Sequence, residues 1–273
     1  MDSNASIGIF DSGIGGLTVA NAILKQLPNE HIIYFGDTAH LPYGDKSANA
    51  IQYYAKNITN FLLSKNCKII VIACNTASAV AYGLLQKIVP KDIFVINVID
   101  PIVEHIIRKK YKSVGVIGTI GTINSNIYSI KIKEQNPKIQ VKQLATPLLA
   151  PMIETGFING QISELIIEDY LQKPEISDID TLVLGCTHYP LIRNEIEEYY
   201  KKNNLKVDVL AANEIVGAYV KQYMIEEGII RYDQSEEEHQ FYVSDYSETF
   251  AQTTRLFYGK DILLQELKLF GKK

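Results

Sequence analysis

The stretch KIIVIACNTASA, Lys68 to Ala79, decides how this 273-residue chain is read. Ile69, Ile70, Val71, Ile72 and Ala73 form an unbroken apolar run rich in β-branched side chains, the pattern of a strand buried on both faces of a parallel sheet. Cys74, Asn75, Thr76 and Ser78 fall where that strand ends. Ligands of open parallel sheets bind at the carboxyl ends of the strands, so these side chains are placed to meet one. Read alone, the same residues also describe a buried thiol followed by a helix N-cap, since free cysteine is often buried and Asn, Thr and Ser all cap helices.

Working back toward the N-terminus, Ile7 to Phe10 is a short strand, and DSGIGGLTVANAILKQLP is a turn opening an amphipathic helix that stops before Pro28. Asp11 and Ser12 lie at that corner. Gly13, Gly15 and Gly16 are expected to let the backbone approach a ligand at the helix N-terminus. The spacing is neither the GxGxxG dinucleotide fingerprint nor a phosphate loop. HIIYF, His31 to Phe35, is the next strand and ends in GDTAHLPYGDKS, where Asp37, Thr38, His40 and Tyr43 cluster. Pro42 and Gly44 make that turn rigid and then permissive, as a ligand-facing loop often is. A helix from about Ser47 to Lys65 leads into the opening stretch.

Downstream, a helix to about Ile88 is followed by a strand from Ile93 to Val98 and a helix with Pro101 in its first turn. VGVIGTIGTINSNIY reads as strand, corner and helix; Ile139 to Leu144 is a strand whose exit carries Glu154. A helix spans Ile162 to Leu171, and the strand Thr181 to Leu184 runs into GCTHYPLIRNEIEEYY, whose second half is helical. A strand over Val207 to Leu210, a helix over Ile215 to Glu227, a strand over Phe241 to Ser244 and a helix over Glu248 to Leu256 follow. This alternation argues an α/β fold with parallel sheets.

The two halves of the chain repeat one another. IGIFDSGIGG at Ile7 matches VGVIGTIGTI at Val114, and IIVIACNTAS at Ile69 matches TLVLGCTHYP at Thr181, with IIYFGDT and VKQLAT between them in the same order. Each half is a strand, a polar corner, a second strand, a long helix and a strand ending in cysteine. The expected fold is two pseudo-symmetric, doubly wound α/β domains with mainly parallel sheets and an active site in the cleft between them. Cys74 and Cys186 would then face each other across that cleft. A merely structural thiol does not predict a second cysteine at the matching corner.

Composition narrows the function. Hydrophobic residues at 47% and charged residues at 21% are ordinary for a globular protein and disfavour disordered, fibrous and membrane classes. A net charge of −4 without a basic block leaves no footprint for nucleic acid, so a small-molecule partner is expected. The N-terminus, MDSNASIGIF, lacks a signal peptide's basic region and apolar core, and no apolar run is long enough to span a membrane. The expected compartment is the cytoplasm. Three scattered cysteines, Cys67, Cys74 and Cys186, make neither a disulfide framework nor a paired-cysteine zinc site, and no metal or cofactor is expected.

Two thiols on either side of the Cα–H of an amino acid can invert its configuration, one as thiolate removing the proton and the other as thiol returning one to the opposite face. Asp11 beside Cys74, and His188 with Glu154 beside Cys186, are the titratable groups expected to tune or orient them. Ser12, Asn75, Thr76, Thr119 and Thr187 can hydrogen-bond the substrate carboxylate, while also capping the helices that start there.

At DSGIGG, GDTAHLPYG, VIACNTASA and LGCTHYPLI the chain resembles the cofactor-independent glutamate racemases of the aspartate/glutamate racemase superfamily, in the same order and over nearly its whole length. The resemblance implies interconversion of L- and D-glutamate for peptidoglycan precursors and a homodimer. It implies Cys74 as the base acting on the D-enantiomer and Cys186 on the L-enantiomer. Asp11, Ser12, Tyr43, Gly44, Asn75, Thr76, Thr187 and His188 are its implied substrate contacts. It further implies a first domain of residues 1–98 plus 210–273 and a second of 99–209. An aspartate or broad-specificity racemase of the same superfamily is the nearest alternative, since one carbon of substrate is worth only about 1–3 kcal/mol to a pocket. A regulatory protein that binds an amino acid without turning it over is the alternative of another class.

Overall fold

The computed structural model of the protein describes residues 2–233 and 237–270, and its ten strands form two all-parallel sheets. The strands are β1 (Ile7–Asp11), β2 (Ile32–Gly36), β3 (Ile69–Ile72), β4 (Phe94–Asn97), β5 (Ser113–Gly118), β6 (Gln140–Ala145), β7 (Thr181–Gly185), β8 (Asp208–Ala211), β9 (Gln240–Val243) and β10 (Leu264–Glu266). Between them run α1 (Leu17–Gln26), α2 (Ala48–Ser64), α3 (Asn75–Ile88), α4 (Asp100–Lys109), α5 (Ile120–Asn124), α6 (Ile127–Gln135), α7 (Leu149–Glu154), α8 (Gln161–Leu171), α9 (Arg193–Lys202), α10 (Ala212–Glu226) and α11 (Glu248–Tyr258). None of the described helices is long and apolar enough to cross a membrane.

The six-stranded sheet has the order β10-β9-β2-β1-β3-β4 and the four-stranded sheet the order β6-β5-β7-β8. Stripped of β9 and β10, the first sheet repeats the second strand for strand, as the internal duplication requires. The register repeats too: Asp11 pairs with Gly36 at the end of β1, and Gly118 with Ala145 at the end of β5.

Burial on both faces explains the apolar runs. Successive side chains of a strand point to opposite faces, and Ile7, Ile9, Ile69 and Val71 accordingly join one core cluster with Leu17 and Ile23 of α1 and Val216 and Val220 of α10. Phe10, Ile70 and Ile72 join the other, with Ile51 and Ile58 of α2 and Ala77 and Ala81 of α3. The chain leaves β8 of the small sheet straight into α10, which packs on α1 of the large one. Gly217 permits that approach, because a Cβ there would lie 2.9 Å from the carbonyl oxygen of Ala22.

The structure departs from the sequence reading in three places. Before the second cysteine strand, α8 is the helix expected over Ile162 to Leu171, but the repeat's one long helix is two here, with the unexpected α7 ahead of it, ended at Gly156 with φ +79°. The helix after β5 is likewise split, into α5 and α6, at Asn126 with φ 55°. Finally, β10 has no expected counterpart. Its three residues, two of them exposed, are too short and polar to give a pattern, and they become a strand only by pairing with β9.

At the end of the large sheet opposite the cysteine corners, Lys68 is buried with its ammonium 2.7 Å from Glu30, whose side chain is equally enclosed. Lys68 also donates to the carbonyls of Ser3 at 2.6 Å and Ile229 at 2.8 Å, and Glu30 accepts from the backbone N–H of Arg231 at 2.7 Å. Cys67 sits beside this cluster, its sulfur 3.0 Å from where a Cβ of Gly8 would be, and burial pushes its thiol up to about 12. Replacing Glu30 by Gln leaves a buried ammonium without its counter-ion, and a loss of about 3–5 kcal/mol is expected. Urea unfolding measures it; a midpoint unchanged from that of the wild type would contradict the buried pair.

Candidate active site

Cys74 ends the turn from β3 into α3. Its backbone is extended, φ −72° and ψ 124°, and its sulfur accepts the N–H of Ala77 at 3.4 Å, so it caps the helix it precedes. Capping does not exclude chemistry here, because the same sulfur lies 3.6 Å from Ser12 Oγ and faces a cavity. Cys186 follows β7 at the equivalent corner and lines the same cavity, of about 240 Å³. Ser12, Tyr43, Gly44, Asn75, Thr76, Thr119, Glu154, Thr187 and His188 line it as well. Asp11 does not. It lies behind the lining, fully buried, with Oδ2 accepting from the N–H of Gly13 at 3.0 Å and Oδ1 without a hydrogen-bond partner among the described residues.

The two cysteines sit in contrasting electrostatic surroundings. Burial, joined by the charge of Asp11, pushes the Cys74 thiol up to about 12, against hydrogen bonds with Ala77 and Ser12. Cys74 is therefore a thiol at neutral pH. Beside Cys186, His188 Nδ1 lies 3.6 Å from the sulfur and Nε2 lies 2.8 Å from Glu154 Oε1. Burial alone lowers the affinity of His188 for its proton. The charges of Cys186 and Glu154 and its hydrogen bonds to both outweigh that and raise it to about 10, which makes it an imidazolium at neutral pH. Burial raises Asp11 as well, opposed by His188 and by the N–H groups of Gly13, Gly16 and Ser12.

Contacts between the halves set these positions. Thr18 Oγ1 donates to the carbonyl of Thr187 at 3.0 Å, and a Cβ on Gly15 would come within 2.5 Å of both His188 Cε1 and Thr187 Oγ1. The second seam joins Thr76 Oγ1 to Thr119 Oγ1 at 2.9 Å and to Thr122 Oγ1 at 3.1 Å, with Gly121 packed on Gly44. This corrects the reading of the first glycine cluster. Gly13 does line the cavity, but Gly15 makes room for His188, and Gly16 for Asp11, whose Cβ is 2.5 Å from where a Gly16 Cβ would be.

Sequence reasoning gave no role to several residues that hold the site. Tyr43 donates to Asp37 Oδ2 at 2.6 Å, while Asp37 Oδ1 accepts from Ser244 Oγ at 2.7 Å and lies 2.8 Å from His40 Nδ1. His40 itself stacks on Tyr54, 4.1 Å between centroids, outside the cavity lining. Tyr34 donates to the carbonyl of Gly13 at 2.7 Å, and Tyr128 to Asn75 Oδ1 at 2.7 Å. Ala150 and Pro151 complete the wall beside Glu154, and their helical spacing from it, four and three residues, was the one available signal. Among the described residues no group of three or more His, Cys, Asp or Glu side chains is placed to hold a metal ion.

Comparison with known proteins agrees with this geometry. The family model described as Asp/Glu/hydantoin racemase matches residues 7–216. A glutamate racemase of Chlorobaculum parvum is 40% identical over 99% of this chain and 98% of its own length. One from Lactobacillus acidophilus is 41% identical over 95% and 96%. Among solved structures, the glutamate racemase of Francisella tularensis in complex with D-glutamate superimposes with a TM-score of 0.90 at 38% identity, covering 98% of each chain. Sequence match, overall fold and the pairing of two cysteine corners across one cavity agree, and the chain belongs to the Asp/Glu/hydantoin racemase family.

Proposed function

We propose that the protein interconverts L- and D-glutamate by two-base proton transfer at Cα, with Cys74 and Cys186 as the proton carriers. The observation that carries this reading is the pair of thiols lining one cavity, one held protonated and the other set beside an imidazolium. In the L-to-D direction the Cys186 thiolate takes the Cα proton, and the electron pair left behind delocalises into the α-carboxylate. The Cys74 thiol then gives its proton to the opposite face, leaving Cys186 protonated and Cys74 as thiolate. The D-to-L direction starts from that second state and runs in reverse.

The remaining residues supply placement and charge. His188, held by Glu154, stabilises negative charge on the Cys186 sulfur. Asp11, buried behind Cys74 with one oxygen unpartnered among the described residues, is assigned to orient that side. Nδ2 of Asn75, without a hydrogen-bond partner among the described residues, and the backbone N–H groups opening α3 offer donors to the substrate carboxylate. Ser12, Tyr43, Gly44, Thr76, Thr119 and Thr187 are assigned as further substrate contacts. The same reading takes the working unit as a homodimer in the cytoplasm, its product serving peptidoglycan precursors.

Incubation with L-glutamate, D-glutamate or aspartate in deuterated water, followed by optical rotation and Cα deuterium, tests the substrate. Glutamate is expected to racemise with label entering Cα; exchange with aspartate alone selects an aspartate racemase, and binding without exchange selects a sensor. Cys74→Ser and Cys186→Ser should each lower racemisation by at least about 10²-fold, in line with losing a positioned acid or base. Either variant keeping full turnover in both directions would falsify the two-base scheme.

The raised His188 predicts a pH-dependent stability. Its contribution is fully present below the ordinary histidine value near 6.5 and is lost as pH rises through about 10. Glu154→Gln removes one of the partners that raise it. The variant's urea midpoint should lie below that of the wild type at pH 6 and converge on it above about pH 10. A gap that stays constant with pH would rule out the coupling.

A further inference from the structure

Asn75 has an amide with two hydrogen-bonding ends, and only one of them is used. Its Oδ1 accepts from the Tyr128 hydroxyl at 2.7 Å, while Nδ2 is buried without a hydrogen-bond partner among the described residues. The residue is 3% exposed and lines the cavity directly after Cys74. Buried polar groups are nearly always paired, so a free donor kept in a cavity wall is matched to something that enters the cavity.

Tyr128 decides which end of the amide is left free. It stands on α6, is fully buried, and its ring packs against Gly185, with Cε2 3.6 Å from where a Gly185 Cβ would be. Packing therefore fixes the ring just before Cys186, while the hydroxyl reaches across to the residue after Cys74. Burial above all, with the charges of Asp100 and Cys186, pushes the phenol far above its ordinary range, so the hydroxyl keeps its proton. Asn75 Oδ1 is the acceptor for that proton. Turning the amide over would leave the buried hydroxyl proton without an acceptor, an outcome more costly than the bond is worth.

We propose that Tyr128 is a positioning residue: its hydroxyl locks the Asn75 amide across the two halves so that Nδ2 is offered to the α-carboxylate of the substrate next to Cys74. The proposal rests on the glutamate racemase reading for the identity of the substrate. It assigns Tyr128 no contact with the reacting atoms. The donor so fixed is an N–H, which suits a carboxylate, and a freely flipping amide would present its oxygen to the same carboxylate part of the time.

Tyr128→Phe tests this by keeping the ring and removing the hydroxyl. KM in both directions, and the calorimetric Kd for D-glutamate, are expected to rise about fivefold or more, while kcat changes less than about threefold, the pattern of lost binding shared by ground and transition states. The effect should vanish in an Asn75→Ala background, where there is no amide to orient. Wild-type KM and Kd in Tyr128→Phe, or an undiminished effect in the Asn75→Ala background, overturns the proposal. If Tyr128→Phe does not fold, Asn75→Asp keeps an acceptor for the hydroxyl but removes the free donor. Weakened D-glutamate binding with a Tm near that of the wild type is then expected, and unchanged affinity overturns the proposal. Should the wild type bind D-glutamate without racemising it, calorimetry still reads the role of Tyr128 while the catalytic reading fails. Should it do neither, both fall.

Discussion

The rest of the site depends on how closely the backbone at Gly15 approaches the His188 ring. No side chain fits between them, and the hydroxyl of Thr18 fastens the same corner to the carbonyl of Thr187. The contact holds the start of α1 in one half against the cysteine corner of the other. Its counterpart under the repeat is Thr122 against Thr76, where hydroxyls take the place of a bare backbone. Two seams on either side of one cavity fix the separation of the two strand ends, and with it the space in which a substrate can lie between the sulfurs.

A duplicated scaffold would give both cysteines the same surroundings unless sequence divergence intervened. It intervenes at two aligned positions. His188 stands where the first half has Thr76, and Asp11 stands where the second half has Gly118. One sulfur therefore gains an imidazole that holds its proton strongly, and the other a buried carboxyl group. Strand order and register supply the symmetry, and two substitutions make the cysteine corners unlike, which is what the proposed proton transfer between opposite faces calls for.

Much of this was legible in the sequence for physical reasons. Parallel strands covered on both faces are uniformly apolar, so Ile69 to Ile72 and Thr181 to Leu184 stand out, and the polar residues at their ends mark the site. The repeat was visible because each half must satisfy the same packing. What the sequence concealed depends on contacts distant along the chain. Gly15 carries no sign that its missing side chain makes room for His188 rather than for a ligand. Tyr128 lies in the unremarkable stretch SNIYS, and only the folded chain brings its hydroxyl to Asn75. β10 exists because β9 offers an edge, which three residues of mixed polarity cannot announce.

The unequal treatment of the three thiols also bears on oxidative damage. Peroxide attacks thiolates, and it attacks those set beside a positive charge first. Cys67 is sealed behind Gly8 and Cys74 is kept protonated, so neither offers much thiolate. Cys186 has neither protection: it lies 3.6 Å from the His188 ring and lines the cavity, so it is the sulfur on which an oxidant is expected to act first. On the proposed two-base reading, the placement that gives Cys186 access to a Cα–H would equally leave it within reach of oxidants, with a bound substrate in their way.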